Sequence, residues 1–287
     1  MNDFIIMTDS SCDLSREMIE ELGVKVITLE FIVEGEAAKR NNAIDEKEFY
    51  AILRGGKMIT TSAVGIDRFM AEMEPVLAEG KDLLYLGFSS GLSGTYNAGF
   101  VAAKELADKY PDRKIYTVDT LAASMGEGLL VWYAVNMKRE GKSIEEIRDF
   151  VEEKKNNLAH WFTVNDLFFL KRGGRVSAAT ALVGTMLSIK PVMHVDNDGK
   201  LIKVTTARGR KASVDALFAK AKATAIEPSK QTMFISHGDC IEDANYLAEK
   251  LKKELEVPEV KISYVGPVIG AHSGPGTLAL FFIGTEK

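Results

Sequence analysis

The chain has 287 residues, with 36 basic against 41 acidic side chains for a formal net charge of −5, and 46% of its residues are hydrophobic. That balance excludes a disordered or collagen-like chain and offers no basic face for non-specific nucleic-acid binding. Two cysteines, Cys12 and Cys240, lie far apart and outside any C-x-x-C pair, which argues against a disulfide framework, a zinc site or a redox motif and makes both buried small hydrophobes.

At roughly 150 residues per domain, two domains are expected. Met1 to Ser10 has no basic stretch before an apolar run and reads as no signal peptide, so a cytoplasmic protein is expected. Phe4 to Thr8 reads as a strand ending in a polar turn, after which Leu14, Met18, Ile19 and Leu22 recur at helical spacing until Gly23. Val24 to Leu29 resumes as strand. Thr60-Thr61-Ser62 precedes an amphipathic helix over Ile66 to Leu77. Asp82 to Phe88 is a strand, Thr95 to Tyr110 a helix and Lys114 to Val118 a strand, followed by the apolar stretch Leu121 to Met137. This alternation is the signature of βαβ units and a parallel sheet.

Past about residue 160 the pattern changes. Ile189 to Val195 and Lys200 to Thr205 flank the turn Asp196-Asn197-Asp198-Gly199 and predict a hairpin, hence a second sheet with antiparallel pairing. A helix from about Arg208 to Thr224, a strand over Thr232 to Ser236 and a helix over Ile241 to Leu255 follow. Two closing strands then flank a glycine-rich loop, Gly266 to Gly276. The expected fold is α/β in two domains: residues 1–160, an N-terminal Rossmann-like α/β/α domain on a parallel sheet, and residues 161–287, a C-terminal α/β domain on a mixed or antiparallel sheet.

Phosphate-binding loops fail on inspection. Gly141-Lys142-Ser143 lacks the upstream glycine, since Asn136 stands there, and Gly56-Lys57 is followed by Met58 in place of Ser or Thr. The four histidines, His160, His194, His237 and His272, are too dispersed to nominate a metal site, and no cofactor is expected. What remains is Ser, Thr and Gly where strands meet helices. In Ser89-Ser90-Gly91-Leu92-Ser93-Gly94-Thr95-Tyr96, Ser93 can offer a hydroxyl and Gly94 a backbone N–H at the positive end of a helix dipole, an anion site. A plain N-cap role for Ser93 is the simpler alternative. An enzyme reading makes Ser93 a nucleophile with His272 as base, oriented by Asp9 or Asp239. Thr95 breaks the G-x-S-x-G elbow, so hydrolysis ranks below binding. Lys171-Arg172-Gly173-Gly174-Arg175 suits a phosphate or an acidic partner surface, or is a solvated turn. His272-Ser273-Gly274-Pro275-Gly276 reads as a tight loop that delivers a histidine to a ligand, or as the setting of a buried structural histidine.

These stretches in this order, with Thr8-Asp9-Ser10, Asp13-Leu14, Asp119-Thr120, Lys190-Pro191, Arg208 and His237-Gly238-Asp239, resemble the DegV family, the fatty-acid-binding subunits of bacterial fatty acid kinase. The resemblance covers essentially the whole chain. It implies one long-chain fatty acid such as palmitate between the two domains, its carboxylate bonded by Thr61 and Ser93, with Ser62, Gly94 and His272 close by. It further implies a lipid carrier rather than an enzyme, presenting the acid to an ATP-dependent fatty acid kinase partner through Arg172, Arg175 and Arg208. Transient contact with a membrane surface fits that role. One departure stands out: Ala63-Val64-Gly65 occupies the place where many relatives carry Gln-Pro-Ser, which reshapes the turn at the headgroup.

Overall fold

The computed structural model describes residues 3–178 and 188–287. Its first sheet is parallel, in the order β2-β1-β6-β7, from β1 (Phe4–Asp9), β2 (Lys25–Ile27), β6 (Asp82–Gly87) and β7 (Ile115–Asp119). Helices cover both faces. On one side α3 (Ile66–Ala78) and α4 (Thr95–Lys109) close over Met7, Leu83 and Tyr85. On the other, α1 (Arg16–Leu22), α5 (Met125–Arg139) and α6 (Ile144–Lys154) close over Phe4, Ile6, Leu84 and Leu86. Local chemistry sets these boundaries. The Ser15 hydroxyl caps α1, which stops where Gly23 takes φ +66°, and Ser143 with Glu146 forms a capping box on α6.

The second sheet is mixed, in the order β10-β9-β8-β13-β11-β12: β8 (Leu158–Thr163), β9 (Ile189–Val195), β10 (Leu201–Arg208), β11 (Thr232–His237), β12 (Glu259–Tyr264) and β13 (Leu278–Ile283). Its outer face packs on α8 (Arg210–Thr224) and α9 (Ile241–Leu255). Its inner face packs on α5, so one core runs from Phe4 and Leu84 through Leu129, Leu130 and Val131 to Phe162, Phe234 and Phe281. A helix apolar on all sides must be buried on all sides, which explains the apolar stretch seen in the sequence.

Several elements differ from expectation. The apolar stretch Leu121 to Met137 becomes helix only from Met125, because Leu121 (φ 51°) and Ser124 (φ 55°) hold the residues before it out of helical conformation. The helix expected from about Arg208 starts at Arg210, after Gly209 at φ +87°. The glycine-rich loop Gly266 to Gly276 contains a helix, α10 (Pro267–Ser273): proline opens its first turn and the Gly274 amide bonds back to the Gly270 carbonyl. A third, antiparallel sheet was not anticipated. It is ordered β4-β3-β5, from β3 (Glu30–Val33), β4 (Lys39–Arg40) and β5 (Ile59–Ser62), and with α2 (Glu46–Arg54) it packs around α10 through Phe31, Phe49, Tyr50 and Ala271. Tyr50 donates to the Val265 carbonyl at 2.7 Å and Asn41 accepts from the Val268 amide at 2.8 Å. The C-terminal helix α10 is thereby locked into the N-terminal half.

Candidate functional site

Where these parts meet there is a cavity of about 550 Å³, within the range of small-ligand pockets. Its wall is largely apolar, with Leu29, Phe88, Phe162, Leu170, Val268 and Ile269 among the lining residues. Strand β5 ends at it with Thr61 and Ser62; the loop before α4 brings Ser93 and Gly94; α10 brings His272 in its last turn; the loop after α7 (Phe168–Arg172) brings Arg175. All five residues expected at a carboxylate, Thr61, Ser62, Ser93, Gly94 and His272, therefore line one cavity.

Thr61 Oγ1 lies 2.7 Å from His272 Nε2, joining residues 211 positions apart. In the tautomer that carries its proton on Nε2, His272 donates to Thr61 and leaves the Thr61 hydroxyl proton free for an acceptor in the cavity. Burial lowers His272 to about 4, and the positive charges of Arg175 and Arg172 push the same way, so the imidazole is neutral at pH 7. Gly173 permits this placement, since a Cβ there would lie 2.1 Å from His272 Nδ1. Ser93 is not the N-cap of α4. Gly94 holds that position, no side chain caps it, and Ser93 Oγ instead accepts from the Thr95 amide at 3.2 Å and pairs with Thr95 Oγ1 at 2.9 Å. The N-terminal end of a 15-residue helix thus meets the cavity at its N-cap Gly94, with no capping carboxylate to cancel its dipole.

The arrangement does not suit hydrolysis. His272 pairs with Thr61, and no hydrogen bond joins it to Ser93 among the described residues. Neither expected orienting acid reaches it: Asp9 accepts from the Tyr85 hydroxyl at 2.8 Å and the Phe88 amide at 3.0 Å, and Asp239 pairs with Arg54. A histidine held near 4 is moreover a weak general base at neutral pH.

The three arginines separate. Arg172 is exposed, its guanidinium 4.8 Å from the centre of the Phe169 ring, and Arg208 is exposed at the end of β10. Arg175 turns inward, donates to the Leu92 carbonyl at 3.1 and 3.2 Å, and lines the cavity. Part of the Ser/Gly surplus also serves docking of the hairpin. Ser89 donates to the Gly199 carbonyl at 2.8 Å, and a Cβ on Gly91 would lie 2.5 Å from the Asp198 carbonyl oxygen. Ala63 lines the cavity beside Ser62, Val64 is buried and Gly65 caps α3, so the departure from Gln-Pro-Ser sits at the polar end.

Sequence reasoning missed the polar floor of the cavity. Ser124, Ser236 and His160 line it and are buried. Ser124 bonds Asp13 at 2.5 Å and Ser236 at 2.9 Å. Burial pushes Asp13 up to about 8, opposed by the Ser124 hydroxyl and the Gly266 backbone. A histidine inside the wholly buried strand Leu158–Thr163 was the available signal. Among the described residues no group of acidic, cysteine or histidine side chains suits a metal ion, and no helix is long and apolar enough to cross a membrane.

A family model described as "Uncharacterised protein, DegV family" matches residues 3–285. A DegV domain-containing protein of Clostridium perfringens is 46% identical over 289 residues, covering 100% of this chain and 99% of the relative. A lipid-binding DegV protein from Thermotoga maritima superposes with a TM-score of 0.87 at 30% identity, covering 99% of each chain. A DegV family protein from Thermus thermophilus, described by its fatty acid binding, gives 0.86 at 30% identity, covering 98% of this chain and 99% of its own.

Proposed function

Starting from a chain that belongs to the DegV family, we propose that it binds one long-chain fatty acid such as palmitate in the cavity between the parallel-sheet domain and the mixed-sheet domain, whose strand β8 begins at Leu158, just before the boundary expected at residue 160. The observation that carries this reading is the convergence of uncharged polar groups, Thr61 bonded to neutral His272, together with Ser93, on one largely apolar cavity. A carboxylate leaving water needs hydrogen bonds. Hydroxyls, a helix N-terminus and the nearby guanidinium of Arg175 supply them. Each buried methylene of the tail adds roughly 0.8 kcal/mol, on the order of 10 kcal/mol for a sixteen-carbon chain before association costs. Affinity then comes from the tail and orientation from the head.

In this reading the protein is a carrier, and an ATP-dependent kinase phosphorylates the bound carboxyl group. Arg172 and Arg208 are exposed and suited to docking that partner, while Arg175 steadies the Leu92 to Gly94 loop. Titration of delipidated protein with palmitic acid, its methyl ester and the corresponding alcohol tests the reading. The acid should bind tightest, because only it carries the charge that the donor cluster compensates. Equal affinity for all three would refute the headgroup assignment.

A further inference from the structure

Thr277, just before β13, and Ala279 on it line the cavity wall, and Phe281 follows two residues further along the strand. The sheet register places Ser236 opposite Ala279 and His160 opposite Phe281, on the same inward face. At roughly 3.3 Å per residue, the His160 level lies about 7 Å further along β13 than the Ser236 level. This part of the wall would be expected to be purely apolar in a channel for a plain hydrocarbon tail, yet three of its side chains are polar and more than nine-tenths buried: Ser236 at 0% exposure, Ser124 at 3% and His160 at 4%.

His160 Nδ1 has no hydrogen-bond partner among the described residues, beneath Gly126 and against the Phe281 ring. Ser236 and Ser124 share one bond, and Ser124 continues to Asp13. Ser124 donates to Asp13 and therefore accepts from Ser236, which leaves the Ser236 oxygen with a lone pair to offer as an acceptor at the cavity wall. A buried polar atom without a partner is costly, and one beside a cavity is accounted for when the occupant satisfies it.

We infer that Ser236, Ser124 and His160 form a second polar subsite, which takes an oxygen substituent, a hydroxyl or keto group, carried on the acyl chain of the bound acid. The inference rests on the fatty acid reading above and narrows it to oxygenated long-chain acids. Hydroxyl and imidazole together offer both a donor and an acceptor, which suits a hydroxyl group best.

Calorimetric titration of delipidated parent, Ser236→Ala and His160→Phe with octadecanoic acid and with 10- and 12-hydroxyoctadecanoic acid tests it. A channel with no polar partner should bind the hydroxy acids at least about tenfold more weakly than octadecanoic acid, because their hydroxyl is buried unpaired. In the parent, one of the two hydroxy acids should bind at least as tightly as octadecanoic acid. Each variant should shift that ratio about threefold to tenfold toward the plain acid, with octadecanoic acid itself held as well or better. If the parent binds octadecanoic acid but discriminates tenfold against both hydroxy acids, the subsite is refuted and the fatty acid reading stands. An unchanged ratio in well-folded Ser236→Ala refutes it equally, with the polar groups then serving only an ordered water. Failure of the parent to bind any of the three acids refutes both.

Discussion

Replacing Thr61 with Val removes one hydroxyl while keeping the branched shape. In the free protein the change strands His272 Nε2, whose partner at 2.7 Å is lost, but His272 is only partly buried and water in the empty cavity can replace that partner. The cost to folding should therefore stay near 1 kcal/mol. In the complex the carboxylate loses a charge-assisted hydrogen bond, worth about 1.5 to 3 kcal/mol, and affinity for palmitate should drop about tenfold to a hundredfold. Tail burial is untouched, so binding remains measurable by calorimetry on delipidated protein. Thr61→Ser keeps the hydroxyl and should bind within about threefold of the parent. Loss of affinity in Thr61→Ser but not in Thr61→Val would show that position 61 supplies a packed methyl group, and the donor role would be wrong.

Gly94 has φ −74°, and a Cβ there would meet nothing within 4 Å. Gly94→Ala should accordingly melt like the parent, yet bind palmitate about tenfold more weakly, since the methyl group occupies the approach of the carboxylate to the helix end; equal affinity places the headgroup elsewhere. Arg208→Glu should leave palmitate binding intact and slow phosphorylation of the bound acid by a cognate kinase, most at low salt; lost lipid with undiminished kinase association would move Arg208 to the ligand site. Asp13, raised by burial from 3.8 to about 8, binds a proton in the folded state that the unfolded chain has released. Its contribution is complete below 3.8 and is lost as pH rises through about 8, with a slope on the order of 1.4 kcal/mol per pH unit inside that window. Urea unfolding of Asp13→Asn between about pH 6 and about pH 8 should show a flatter decline than the parent, and parallel curves would refute the assignment.

The parallel sheet was legible because its strands alternate with amphipathic helices whose ends carry their own signals, as at Ser15 and Gly23. The small third sheet was not. Lys39–Arg40 is only two residues long, and β3 pairs with β5 across a helix, so its pairing is set by contacts distant in sequence. The candidate headgroup residues were legible as hydroxyls and glycines at chain turns, but their grouping required Thr61 and His272 to meet from opposite ends of the chain. Arg175 illustrates the converse. A basic, glycine-flanked run reads as a solvent surface, and only the fold shows that its last arginine turns inward to the Leu92 carbonyl. The Asp13–Ser124–Ser236 chain joins three segments with no shared motif and was invisible in one dimension.

The claim that this cavity holds a fatty acid is tested most directly by mass spectrometry of the purified protein, sprayed first under native and then under denaturing conditions. The account predicts a native species heavier than the chain by one long-chain acid, and complete release of that acid on denaturation. A chain that retains the acyl mass after denaturation, as an ester on Ser93, or that releases a phosphorylated metabolite in place of a lipid, would contradict it.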